Sequence, residues 1–407
     1  MIHFLLLNEQ LPSELLITRI EQAHKEDTIT CLNCHSLFID DSLASSIRSP
    51  QWEHIELVSC HGQLGMLLEG LPSLRHMTLR KVACPDSFSA ISRGLSNCLS
   101  LKELRLEVSL TTSNAAELGQ ALAQNSTITK FNLYGSSFES LDAIGALAEG
   151  LSHNRHLQHL DVSYCQLRDE GVSLLVEQLV NHPALLNLDL SGNYCRSDSM
   201  VSIVKLLLQE DHPLKVLNLT NQHAGEFGGS FDITALGLAM RSNRSLESLD
   251  LSFNMLYDDD ISNLVAALSK NTTLKVLNLM SNQLTTKGIS TIAEYLSRWK
   301  GLQKLIVACN RFGEEGARSL LEGLQENTEL THLGMPRGFA VSEDIQHLLA
   351  LNQGGRKLLL HKEHVPSGLW PLVLARVNEK NQPISLLRTR ATVMFYLLQG
   401  PALFGRQ

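Results

Sequence analysis

The sequence predicts an α/β solenoid, a curved horseshoe with parallel strands on its concave face and helices on its convex face. Two observations carry that prediction. The segments LLNLDLSGN, LKVLNLTNQ, LESLDLSFN, LKVLNLMSN and LQKLIVACN share the template LxxLxLxxN, whose last position falls at Asn193, Gln222, Asn254, Asn282 and Asn310, at intervals of 29, 32, 28 and 28 residues. Behind each template runs a stretch with helical spacing. Self-similarity at a period of about 20–50 residues marks a repeat array, in which each unit buries its apolar face only against its neighbours.

In chain order, residues 1–27 contain LPSELLITRIEQAHKED, an amphipathic helix expected to cap the array and offering Leu15, Ile17 and Ile20 for burial. Residues 28–340 hold the array of about 11–12 repeats, degenerate at both ends, where a unit has one neighbour instead of two. Upstream of Asn193 the closing slot falls on Cys165, Ser136, Ser109, Val82, Cys60 and Cys34, and Gly338 follows Asn310 by 28 residues. In Leu188-Asp189-Leu190 apolar and polar residues alternate, which points the leucines into the core and Asp189 to solvent. The closing Asn suits the chain's exit from the strand, where its amide can satisfy backbone groups that lack ladder partners. Cys60 and Cys165 in that slot read as small structural residues.

The helix of each unit follows. Ile261, Leu264, Val265 and Leu268 fall at i, i+3, i+4 and i+7 behind Asp258-Asp259-Asp260, and acidic residues are favoured at a helix N-terminus. Asn125, Asn154, Asn243, Asn271 and Asn327 recur just after helices, so three of the four N-x-S/T sequons read as helix-end turns. Helices are wider than strands, about 10 Å against about 4.8 Å, so the stack bends with its strands inside. Residues 341–407 open as a repeat helix, break at Gly354-Gly355 and continue into two helical stretches, VPSGLWPLVLARVNEK and RTRATVMFYLLQGPALFGRQ. They are expected to form a C-terminal helical cap. Its basic residues exceed its acidic ones by four, against a net charge of −8 for the chain.

The template resembles the ribonuclease-inhibitor subfamily of leucine-rich repeats, which includes the Ran GTPase-activating protein and the nucleotide-binding innate-immune receptors. The resemblance covers residues 28–340. It implies a leucine-rich-repeat solenoid that binds one or more proteins through the concave strand face and adjoining loops. Two alternatives come with it: GTPase activation of the Ran-activator type, and a regulatory repeat array related to those of innate-immune receptors. The basic tail departs from the acidic one of the first family, and no GxxxxGK[ST] loop supplies the nucleotide-binding module of the second. The C-terminal segment is similar to that of uncharacterised leucine-rich-repeat proteins of diatoms. The pattern LN..GR..L, VP..LWP.VL, FYLL..GP.L matches here at Leu351, Asn352, Gly355, Arg356, Val365, Pro366, Leu369, Trp370, Pro371, Leu374, Gly400 and Pro401.

Composition narrows the function. Hydrophobic residues make up 43% of the 407 and charged ones 19%, as in a folded, water-soluble chain. The negative balance argues against nucleic acid as the main partner. No apolar run reaches the ~20 residues that span a bilayer, so no membrane partner is expected. The N-terminus lacks the basic flank and cleavage site of a signal peptide, and eight cysteines are too few for a disulfide scaffold, which suggests a cytoplasmic location, with a nuclear one also open. Cys31 and Cys34 form a CxxC with no second pair at zinc spacing. The sequence holds no HExxH, no GxSxG and no kinase signature. No enzyme activity, metal or cofactor is expected, and the oligomeric state is left open.

The candidate binding residues lie on the outward strand positions. Asp161, Asp189, Asn218, Asp250, Asn278 and Ile306 belong to the central outward row, and Tyr134 and Met280 to the next. The first row has an Asn/Asp midsection suited to a basic partner, and the array turns apolar towards Met280 and Ile306, as interfaces do. The interval between Gln222 and Asn254 is four residues longer than the 28-residue period and contains HAGEFGGSFD, an edge loop whose His223, Glu226 and Phe227 are further candidates.

Overall fold

The computed structural model describes residues 3–8, 12–25, 29–48, 52–62, 71, 73–82, 88–222, 233–354 and 356–357. The insertion residues His223, Glu226 and Phe227, and the C-terminal cap from residue 358 onward, lie outside the described residues. The chain falls into two compact units, residues 1–231 and 232–407.

In the first unit the principal strands are β1 (His3–Asn8), β2 (Ile29–His35), β4 (His54–Val58), β6 (His76–Arg80), β7 (Glu103–Glu107), β9 (Lys130–Asn132), β11 (His159–Asp161), β12 (Asn187–Asp189) and β13 (Val216–Asn218). Each pairs in parallel with the next. Two short parallel pairs lie beyond the strand ends, β3 (Phe38–Ile39) with β5 (His61–Gly62) and β8 (Ser109–Leu110) with β10 (Ser137–Phe138). The helices are α1 (Ser13–Ala23), α2 (Asp41–Ile47), α3 (Phe88–Asn97), α4 (Thr112–Gln124), α5 (Leu141–His153), α6 (Arg168–Leu179) and α7 (Ser197–Leu208). The second unit repeats the plan with α8 (Ile233–Ser242), β14 (Ser248–Asp250), α9 (Asp258–Leu268), β15 (Val276–Asn278), α10 (Thr286–Leu296), β16 (Lys304–Ile306), α11 (Glu314–Glu326), β17 (His332–Gly334) and α12 (Ser342–Gln353). Its four strands also pair in parallel.

The core is aliphatic and lies between strands and helices. Leu188 and Leu190 are buried, as are Ile261, Leu264, Val265 and Leu268 on the inner side of α9. Full burial of such a side chain contributes about 1.5–3 kcal/mol. Helices α3 to α7 pack side by side in the first unit, and α8 to α12 in the second. Helices α4 and α5 meet backbone to backbone at two glycines, since a Cβ on Gly150 would stand 2.2 Å from Gly119 Cα.

Three polar ladders hold neighbouring repeats in register. The closing Asn forms the first: Asn282 donates to the carbonyls of Leu251 and Leu279 and accepts from the N–H groups of Asn254 and Leu256, each at 3.0 Å. Cys165 and Ser136 act in the same slot, donating to Leu133 O and Leu106 O. Burial pushes the Cys165 thiol up to about 12, which suits a structural hydrogen-bond donor rather than a nucleophile. The helix-end Asn forms the second ladder: Asn271 donates to Met240 O and Asn243 O and accepts from the N–H groups of Thr273 and Leu274. Asn125, Asn243 and Asn271 are thereby buried, so their sequons are closed in the folded state. A third ladder runs between helix starts, where Asp169 accepts from the N–H groups of Arg196, Asp198 and Ser199 and from the Ser199 hydroxyl. Burial alone would raise the Asp169 pKa, but these donors outweigh it and hold it below the usual carboxylate range.

Two details correct the sequence reading. Residues 1–27 are not a helix alone, because His3–Asn8 form a strand in register with β2, with Leu7 buried and Leu6 exposed as the strand period requires. Cys34 does not occupy the closing slot; it is paired across the ladder with Leu57, and Leu37 stands where Cys60 stands one repeat later. Terminal repeats lack the polar slot residue that fixes the register in the middle.

Candidate functional site: the outward strand face

The alternation that buries the leucines sets one row of side chains on the opposite side of the sheet. The registers align Glu56, Thr78, Arg105, Asn132, Asp161, Asp189 and Asn218 in the first unit. In the second they align Asp250, Asn278, Ile306 and Gly334. All are partly exposed. The sequence-derived row therefore exists, with Tyr134 and Met280 one outward step further along their chains.

The acidic and amide residues of the row have structural duties that the sequence reading did not assign. Asp161 accepts from the backbone N–H and hydroxyl of Ser163 and from the amide of Asn132. Asp189 accepts in the same way from Ser191 and Asn218, and Asp250 from Ser252 and Asn278. The Asn218 and Asn278 side-chain oxygens accept from the N–H groups of Thr220 and Met280. Each residue closes the turn that leaves its strand. A triple Asp161→Lys, Asp189→Lys, Asp250→Lys exchange removes nine acceptor contacts and is expected to destabilise the fold. Ile306 is also partly committed, because a Cβ on Gly334 would stand 2.9 Å from its Cγ2.

Beside this row stands a group that sequence reasoning missed in part. The residue just before the closing slot has a left-handed backbone in successive repeats: Gly135 (φ 71°), Tyr164 (56°), Gly192 (66°), Asn221 (54°), Phe253 (58°), Ser281 (55°) and Cys309 (57°). Gly and Asn adopt this conformation readily, whereas Tyr and Phe do so at a cost. Tyr164 is nevertheless 43% exposed and Phe253 48% exposed. The Tyr164 ring lies across Gly192, where a Cβ would come within 2.6 Å of it, and its hydroxyl accepts from the Asn221 amide at 3.3 Å. Tyr134, 42% exposed, tilts against Tyr164 with centroids 5.6 Å apart, and the Arg105 guanidinium lies 5.8 Å from the Tyr134 centroid. An aromatic in a slot otherwise filled by Gly, Asn, Ser or Cys was the available signal.

The edge of the face that starts the strands carries His54 and His76, stacked at 4.1 Å, with Glu103 between His76 and Lys130. Burial and the neighbouring His54 lower the His76 pKa. Among the described residues no group of three or more His, Cys, Asp or Glu is placed to hold a metal ion. None of the described helices is long and apolar enough to cross a membrane.

Comparison with known proteins places this architecture. The TMOD/LMOD leucine-rich domain family matches residues 230–344, and a single leucine-rich repeat matches residues 153–176. "NACHT, LRR and PYD domains-containing protein 12" of Homo sapiens is 28% identical over 251 residues, 58% of this chain and 21% of that protein. "Leucine-rich repeat-containing protein 73" of Rattus norvegicus is 32% identical over 173 residues, 41% of this chain and 53% of the relative. "Capping protein, Arp2/3 and myosin-I linker protein 3" of Homo sapiens is 31% identical over 166 residues, 32% of this chain and 12% of the relative. The chain is thus similar to leucine-rich-repeat proteins and spans 53% or less of the length of these relatives.

Proposed function

We propose that the chain is a non-enzymatic, cytoplasmic scaffold that binds partner proteins through its outward strand face and the edge loops beside it. In the first unit the face offers Tyr134, Asp161, Asp189 and Asn218; in the second it offers Asp250, Asn278, Met280 and Ile306. The observation that carries the reading is Tyr164, a large aromatic held half-exposed on a costly left-handed backbone next to Tyr134. Strain of this kind persists where the surrounding structure overdetermines it and concentrates at functional sites, and exposed tyrosines are favoured interface anchors. The similarity to leucine-rich-repeat proteins supports the same reading. The likeness to a NACHT, LRR and PYD domains-containing protein favours a narrower form of it, a regulatory repeat array.

The test compares captured proteins. A Tyr134→Ser, Tyr164→Asn double variant should lose a specific partner from native-cell lysate, while Val201→Ser, on an exposed helix position, should keep it. Loss with the helix variant, or retention with the strand variant, would place the interface elsewhere.

A further inference from the structure

We propose that the strand face around Tyr164, Asp161 and Asp189 receives an arginine or lysine side chain from an extended basic segment of a partner protein. This deepens the strand-face reading and rests on it. Asp161 and Asp189 are register partners on β11 and β12, so two carboxylates stand side by side on strands about 4.8 Å apart. Their hydrogen-bond donors are neutral, namely Ser163 and Asn132 for one and Ser191 and Asn218 for the other. Among the described residues neither carboxylate is in an ion pair. Burial first, and the Asp161 charge among further causes, raise the Asp189 pKa, so the pair carries mutual repulsion that an incoming cation would relieve.

The aromatic side chain that follows Asp161 by three residues fits the same occupant. Tyr164 presents a ring fixed over Gly192 and tethered to Asn221, a π surface for a guanidinium or ammonium group. Arg105 already makes such a contact with Tyr134. It sits two strands from Asp161 in the row, through Asn132, and ends the acidic stretch on that side. A basic residue therefore seats over β11 and β12, with neutral residues of the segment passing over β9. An anionic or wholly apolar segment would leave the carboxylate pair uncompensated.

The experiment uses the full chain and a fluorescent peptide with arginine at alternate positions, followed by anisotropy at physiological salt. An otherwise identical peptide carries citrulline, which keeps the shape and loses the charge. The arginine peptide should bind about tenfold more tightly than the citrulline one, and Asp161→Asn with Asp189→Asn should remove that advantage. Tyr164→Asn, which keeps a residue suited to the left-handed slot, should weaken the arginine peptide about fivefold and stands as the test if the acidic double variant unfolds. Glu170→Gln with Glu177→Gln, an equal loss of charge on exposed positions of α6, should change affinity less than about twofold. Equal binding of the two peptides, no binding at all, or an equal effect of the α6 pair would overturn the proposal. If the peptide fails while Tyr134→Ser, Tyr164→Asn still loses its captured partner, only the basic occupant is wrong; if both fail, the strand-face reading falls as well.

Discussion

At the scale of single residues, polar side chains that would be liabilities elsewhere hold this fold in register. Asn282 satisfies four buried backbone groups, so Asn282→Ala should cost about 2–4 kcal/mol, read as a lowered urea midpoint. An unchanged midpoint would mean that water replaces the amide without penalty. His182 and His212 take the helix-end role that Asn fills in other repeats, accepting from the N–H groups of Ala184 and Leu214. Burial lowers the His182 pKa to about 4, and the charges of His212 and Arg155 add to the shift. The folded pKa lies below the unfolded value of about 6.5, so the stabilisation is complete above that value and is lost as pH falls towards 4. His182→Asn should therefore flatten the fall in melting temperature between those limits; an identical pH profile would contradict it. The Asn slots were legible because a lone polar residue at a fixed step among leucines must find partners, whereas His182 and His212 were not read as filling them. Tyr164 was not, because its importance comes from a backbone conformation that only the turn reveals.

At the scale of the element, each strand of the regular repeats is as short as three residues, and its position is set by what it buries and what closes it. Leu251 and Leu279 are fully buried on β14 and β15 and their exits, so either Leu→Asp exchange should abolish cooperative unfolding of the second unit. Retention of a sharp transition would contradict the register. The strand-and-helix pattern was legible from LxLxxN spacing in the middle of the chain. It was less so at the start, where HFLLLN reads as an apolar run whose pairing with β2 depends on neighbours that sequence spacing does not specify. The sequence also marked Asp161, Asp189 and Asp250 as outward residues without marking them as turn-closing acceptors. That second role follows from the Ser two positions later, a pairing visible in the segments DVS, DLS and DLS only once the turn geometry is known.

At the scale of the whole molecule, the division of labour explains how a repeat protein keeps a stable fold and a variable surface. Leucines and ladder residues are used up between neighbouring repeats, whereas the outward rows are constrained only where they close turns. Surface exchanges at Tyr134 or Met280 should therefore shift stability by less than about 0.5 kcal/mol while altering recognition, measured by denaturation and capture side by side. The same division explains why fold was more legible than partner, since the repeat period is imposed by burial and the outward residues by an absent molecule.

The most direct measurement is a photo-crosslinking scan of the full chain in its native cell, with a benzophenone amino acid placed in turn at Tyr134, Tyr164 and Met280 on the strand face and at Val201 and Leu238 on the helices. Crosslinks to one common protein from the strand-face positions, with none from the helix positions, are the predicted result. Crosslinks that arise from the helices while the strand face stays silent would contradict the assignment of recognition to the strands.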